Sequence, residues 1–203
     1  MQLYDSGRAP NPRRVRIFLA EKGISVPLVP VDLGRMENKS PEFTSINPRQ
    51  RVPVLVLDDG TAIAETMAIC RFFEALQPEP NLFGQTPKEQ GLVEMWQRRA
   101  ELDLLIPIMM VLRHLNPGMA QAEVPQVAEW GEVNKPKVLA ALEFFNDSLA
   151  DKAYLAGDRF TVADITLLVA LDFLRVIRTE VPQDHAHLLR WRDVVSQRPS
   201  AKA

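Results

Sequence analysis

Residues 51–76 read RVPVLVLDDGTAIAETMAICRFFEAL, and in this one stretch a strand, a turn, a second strand and a helix follow each other without a gap. Residues 52–57 (VPVLVL) are apolar and rich in valine, which suits a pleated, buried surface. Asp59-Gly60 favours a tight hairpin turn, so residues 61–64 return as the partner strand and residues 66–76 form the helix. Pro53 has no N–H for a strand ladder, so it belongs at an edge or in a cis turn. A cis bond there would turn the backbone N–H and C=O of Val52 outward, free to pair with a peptide-like ligand as an added strand does.

Upstream, residues 2–4 read as a short strand and residues 15–22 as a helix with Val15, Ile17, Phe18 and Leu19 on it, closed by Gly23. Residues 26–31 return as a strand and lead into an irregular stretch, so the first part of the chain alternates as an α/β unit does. Downstream, residues 77–87 (QPEPNLFGQTP) carry three prolines and a glycine, the texture of a linker. Beyond it the text is helical over 89–115, 126–149, 162–178 and 187–197, with Pro107 and Pro136 placed to kink or interrupt the first two. The reading is therefore an α/β domain over residues 1–77, a linker over 78–87 and an all-α domain over 88–203.

Composition narrows the function classes. The 203 residues carry a net charge of −2, with Lys and Arg scattered, so nothing favours binding to nucleic acid. The opening MQLYDSG lacks a signal-peptide pattern and no uncharged run is long enough to span a membrane, which predicts a cytoplasmic protein without a membrane partner. Cys70 is the only cysteine, which excludes an internal disulfide, a C-x-x-C pair and a thiolate-rich metal site; no metal is expected. Thiol chemistry in this chain must borrow its sulfur.

Glu65-Thr66 stands where the second strand ends and the helix begins. Thr66 reads first as an N-cap. A hydroxyl and free N–H groups at a helix N-terminus also make a carboxylate site, and an acidic neighbour suits a ligand ammonium, so a zwitterionic amino-acid head satisfies both residues. Thr161 and Asp164 form a capping-box pattern ahead of a helix apolar on nearly every face, and are assigned to folding.

Three segments, LYDSGRAPNPRRVRIFLAEKGI, SPEFTSINPRQRVPVLVLDDG and IAETMAICRFFE, together resemble the N-terminal domain of cytosolic glutathione transferases, and the similarity spans nearly the whole chain. The resemblance implies a thioredoxin-like N-terminal α/β domain, an all-α C-terminal helical domain, glutathione as co-substrate and a homodimer. It also implies that Val52, before Pro53, pairs with the cysteinyl part of glutathione while Glu65 and Thr66 hold its γ-glutamyl group. Where the family often has Gly-Lys before Val-Pro, this chain has Gln50-Arg51, which keeps the cation. Lys39 lies in the segment resembling the loop that meets the glycine carboxylate.

The thiol of glutathione resembles free cysteine, with a pKa near 8.5, and lowering it by about two units takes roughly 2.7 kcal/mol of thiolate stabilisation. Hydrogen bonds and a helix N-terminus supply energies of that size. The loop after the first strand offers Tyr4, Ser6, Arg8 and Asn11; Tyr4 reads as a packing aromatic, leaving Asn11 first and Ser6 second. Asn11 before Pro12 also reads as a helix cap. Ala9-Pro10-Asn11 resembles the Thr-Pro-Asn of bacterial nu-class transferases with the threonine replaced, which keeps disulfide or peroxide reduction as an alternative to transfer. Cys70, inside a helix, reads as a buried hydrophobe, against the beta and omega classes, and the Ser-Ser-Cys of maleylacetoacetate isomerases is missing. Residues 105–114 (LIPIMMVLRH) offer Met109 and Met110 for a small hydrophobic electrophile, though core packing accounts for them equally. His114 is not assigned a role. Transferase folds also serve as non-catalytic interaction modules, and retention of Val52-Pro53 beside Glu65-Thr66 favours real glutathione binding.

Overall fold

Strand β1 (Gln2–Asp5) buries Leu3 and Asp5 in alternation and lies inside a mixed four-stranded sheet ordered β2-β1-β3-β4. β2 (Leu28–Pro30) runs parallel to it, while β3 (Val54–Val56) and β4 (Ala62–Ala64) form an antiparallel hairpin on its other side. β1 runs one residue past the expected 2–4, whereas β2, β3 and β4 are shorter than the expected strands, and the ladder of β3 starts only after Pro53. Asp58-Asp59 occupy the turn, with Gly60 at φ +85 and the Asp59 carboxylate accepting from Thr61 N–H. A positive φ there is what a three-residue hairpin loop requires, so the glycine ends the turn instead of sitting at its centre.

The period of two in β1 and β3 splits the core. Tyr4, Val54, Val56 and Ala64 share one face with Phe43 and Ile46 of helix α2 (Pro41–Ile46), an element standing where an irregular stretch was expected. Tyr4 packs edge-on to Phe43, as a structural aromatic. Leu3 and Leu55 point to the opposite face and are fully buried. Helices α1 (Pro10–Lys22) and α3 (Thr66–Leu76) pack against each other. Lys22 is buried at the end of α1, donating to the carbonyls of Gln77, Pro78 and Pro80 and pairing with Glu74. A cation at the C-terminus of α3 complements its dipole and satisfies the carbonyls of the chain that leaves it. Gln77 answers by donating to the carbonyl of Lys22.

In this computed structural model, which describes residues 1–203, the chain divides into two units, Met1–Asn81 with Pro199–Ala203, and Leu82–Arg198. The last five residues therefore belong with the α/β unit, where Arg13 donates to the carbonyl of Ala201 and Ser200 to the Glu21 carboxylate.

The second unit is helical: α4 (Pro87–Arg99), α5 (Ile106–Leu115), α6 (Ala128–Ser148), α7 (Val162–Phe173) and α8 (Ala186–Ser196). The predicted single helix over 89–115 is interrupted by a wide π-turn at Ala100–Leu105, directly before Pro107, whose missing N–H cannot serve a regular turn. Pro136 lies inside α6. A β-carbon on Gly131 of α6 would come within 2.5 Å of Leu115, so glycine permits the approach of α5 and α6. No helix is long and apolar enough to cross a membrane.

Helix α7 is buried from Val162 to Leu171, and its polar residues are all partnered. Thr166 donates to Gln97 of α4, both fully buried. The Asp164 carboxylate accepts from the N–H groups of Leu155 and Thr161, the Thr161 hydroxyl and the Trp191 indole of α8. Burial outweighs these four donors and pushes the Asp164 carboxyl up to about 6. Because the folded value lies above the unfolded one, folding favours the protonated acid; this contribution is full below the ordinary 3.8 and is lost as pH rises through about 6. Urea unfolding at stepped pH should show that slope, and Asp164→Asn should flatten it while lowering stability by about 2 kcal/mol, because one carboxylate oxygen becomes a donor facing donors.

Candidate functional site

The strand register decides which residues meet. Tyr4 pairs with Val54 and Val54 with Ala64, so one row crosses β1, β3 and β4. Two residues beyond that row, at the same end of the sheet, stand Ser6 after β1, Val52 before β3 and Thr66 after β4. Neighbouring strands are about 4.8 Å apart, so segments far apart in sequence gather on one edge. Helices α1 and α3 both begin there, directing two positive dipole ends at that edge.

The start of α3 is unusual. Glu65 is its N-cap, at φ +73 and ψ +126, and Thr66 is its first helical residue, so the expectation of Thr66 as the cap is corrected by one position. A non-glycine residue held at that φ costs on the order of 1–3 kcal/mol, and such outliers gather at ligand sites. The Glu65 side chain makes no capping bond and is exposed. The first intrahelical bond is Ile69 N–H to the carbonyl of Glu65, leaving the N–H groups of Thr66, Met67 and Ala68 as the open donors of the first turn. A carboxylate fits those donors and an ammonium fits Glu65.

Val52-Pro53 is cis, and Val52 takes no part in the strand ladder. The approach to it is pinned by two buried amides that sequence reading missed. Asn38 donates to the carbonyl of Gln50, and Asn47 donates to the carbonyl of Arg51, each over 2.8 Å. The signal for Asn47 was its place before Pro48, a turn dipeptide; nothing local singles out Asn38. Gln50 adopts φ +54, the left-handed conformation that the more usual glycine would take without strain. Arg51 and Lys39 are exposed beside these clamps, Lys39 ending a short turn of 3-10 helix next to Asn38. Asp5 and Arg16, also missed, pair across the end of β1, and Arg16 donates to the carbonyl of Gly7, anchoring the loop that carries Ser6.

Residues 9–76 match the family model described as glutathione S-transferase, N-terminal domain, and residues 125–199 match glutathione S-transferase, C-terminal domain. The chain belongs to the glutathione transferase family. It is similar to glutathione S-transferase 2 of Saccharomyces cerevisiae, 42% identical over 205 residues that cover 100% of this chain and 88% of that protein. It is similar in structure to crystalline Gtt2 from the same yeast, with a TM-score of 0.95, 42% identity and coverage of 100% of this chain and 99% of that one. A glutathione S-transferase domain-containing protein of Marinobacter aquaeolei superposes with a TM-score of 0.95 at 40% identity, covering 98% of this chain and 99% of that one.

In the transferase, the loop after β1 turns at Gly7 and Arg8, with Ala9 N–H donating to the carbonyl of Ser6, and α1 starts at Pro10. Ala9 is the N-cap, so Asn11 is the second helical residue; the cap reading of Asn11 is corrected, because Pro10 already supplies the favoured first position. Asn11 and Ser6 are half-buried. The Asn11 carbonyl oxygen accepts from Arg14 over 3.1 Å, leaving the amide NH2 as its remaining donor.

Cys70 lies in α3 with no exposure, and burial pushes its thiol up to about 12, the neighbouring Arg14 opposing and Glu74 adding. At neutral pH it is a thiol and not a nucleophile. His114 of α5 accepts from Val127 N–H through Nδ1 and so serves a loop of the helical unit. Met110 lines a cavity of about 670 Å³ within that unit, between α5 and α6, together with Ile106, Trp130 and Phe144, whereas Met109 does not reach it.

Two outcomes follow from these geometries. Glu65→Gly should raise stability by about 1 kcal/mol in denaturant titration, since glycine removes the backbone strain at some cost in unfolded-chain entropy. Cys70→Ala should keep its catalytic rate with glutathione within about twofold, and the native parent should resist alkylation at pH 8 until unfolded.

Proposed function

We propose that this transferase binds glutathione along the sheet end formed by Ser6, Val52 and Thr66, and uses the bound thiolate to attack a small hydrophobic electrophile. The γ-glutamyl carboxylate rests on the first turn of α3 and the Thr66 hydroxyl, with the ammonium on Glu65. The cysteinyl backbone pairs with Val52, held by cis-Pro53, and the glycyl carboxylate lies toward Lys39 and Arg51. Asn11, with Ser6 beside it, donates to the sulfur. In the reaction the thiol proton passes to solvent, sulfur forms a bond to the electrophilic carbon, and the leaving group departs or the product takes up a proton.

The observation that carries this reading is the register Tyr4–Val54–Ala64, which supports one continuous site from three separate segments. The strained, uncapped Glu65 gives the second support. Relatives named as glutathione S-transferases support thiol transfer over disulfide reduction and a non-catalytic role. A homodimer in the cytoplasm, implied by the family resemblance, belongs to the same proposal.

Calorimetric titration with reduced glutathione tests it. Binding in the micromolar to low-millimolar range is expected, at least tenfold weaker in Glu65→Ala, equivalent to about 1.4 kcal/mol. An unaltered affinity in Glu65→Ala would remove the assigned γ-glutamyl site, and no binding by the parent protein would end the enzymatic reading.

A further inference from the structure

We propose that Arg14 is a positioning residue for thiol activation, its buried guanidinium fixing the Asn11 amide so that the NH2 group faces the glutathione sulfur. The proposal rests on the assignment of Asn11 as the sulfur's donor and adds what makes that assignment work.

An asparagine amide has two faces of nearly equal shape and opposite chemistry. Turned one way it donates to a thiolate; turned the other it presents an oxygen and repels it. A half-buried amide with no fixed partner gains little from choosing between the two. A guanidinium resolves the choice, because it carries five donors and no acceptor, so only the amide oxygen can face it. Arg14 stands three residues along α1 from Asn11, on the same helical face, and its Nη1 lies 3.1 Å from Asn11 Oδ1. The amide NH2 is then directed away from Arg14.

Arg14 is itself held. It is fully buried, an uncommon position for a guanidinium, and close enough to Cys70 of α3 for its charge to act on that thiol, as does Glu74. A planar, always charged fork in a close-packed site has little freedom to swing. Orientation set from inside the fold is the arrangement a catalytic donor needs, since a donor already aimed at the developing anion costs nothing to reorganise. Lysine at position 14 would keep the charge but replace the planar fork with a single ammonium on a flexible stem.

The test is titration of the bound thiol, read from thiolate ultraviolet absorbance of the glutathione complex, in the parent protein and in Asn11→Ala, Arg14→Gln and Arg14→Lys. The parent midpoint is expected well below the value near 8.5 of a free thiol. Asn11→Ala and Arg14→Gln should each raise it by about one pH unit, a tenfold smaller ionisation constant, with Arg14→Lys raising it less. The Asn11→Ala/Arg14→Gln double variant should titrate like Asn11→Ala alone, since Arg14 acts through Asn11. A structural role alone would lower the melting temperature and leave the midpoint of the folded complex unmoved. If Asn11→Ala shifts the midpoint while both Arg14 variants leave it at the parent value, the positioning role is overturned and the Asn11 assignment stands. If Asn11→Ala shifts nothing, both fall. Should Arg14→Gln fail to fold, an unshifted midpoint in Arg14→Lys overturns the proposal.

Discussion

A carboxylate removed from water organises the helical unit. Asp164 sits at the first turn of α7, the most buried helix of the chain, and collects donors from its own N-cap residue, from the loop at Leu155 and from Trp191 of α8. A buried carboxylate is tolerated only where its lone pairs are met, so each donor must come to it, and the loop and α8 are placed by that requirement. Hydrophobic contact alone would let α8 slide along α7; a directional bond from an indole N–H does not.

The α/β unit uses the opposite charge in the same way. Lys22 gathers the carbonyls at the end of α3 and the chain that follows, and the Glu74 carboxylate keeps the cation paired. This anchors the C-terminal end of α3. Its N-terminal end is left uncapped, and its entry residue is held in a conformation that costs free energy. One end of the helix is satisfied internally and the strain is confined to the other, and backbone strain of this kind gathers at ligand sites.

Buried amides perform the quieter part of this work. Asn38 and Asn47 clamp the carbonyls of the two residues ahead of Val52, so the segment whose backbone stays outside the strand ladder is pinned by side chains. A preorganised edge loses little conformational entropy on binding. Arg14 holds the Asn11 amide oxygen in the same way, from inside the fold.

Much of this was legible in the residues. The valine-rich run, the Asp-Gly turn and the Glu-Thr pair announced the hairpin and α3 because strand composition, turn chemistry and helix ends are local properties written over a few positions. Prolines and glycines marked the linker and the interruption at Pro107 for the same reason. What lies outside local pattern could not be read that way. α2 is only six residues long, too short to show a period, and exists because Phe43 and Ile46 cover the sheet. The starts of α1 and α3 were each misplaced at the cap, since a cap is defined by φ and ψ and not by residue type alone. By itself the sequence determined the elements other than α2 and, through the family resemblance, the candidate residues. The tertiary structure alone decided that Ser6, Val52 and Thr66 share one edge, that Asn38 and Asn47 are clamps and that Arg14 faces Asn11, because these depend on strand register and on burial, which are properties of the folded chain and of no segment within it.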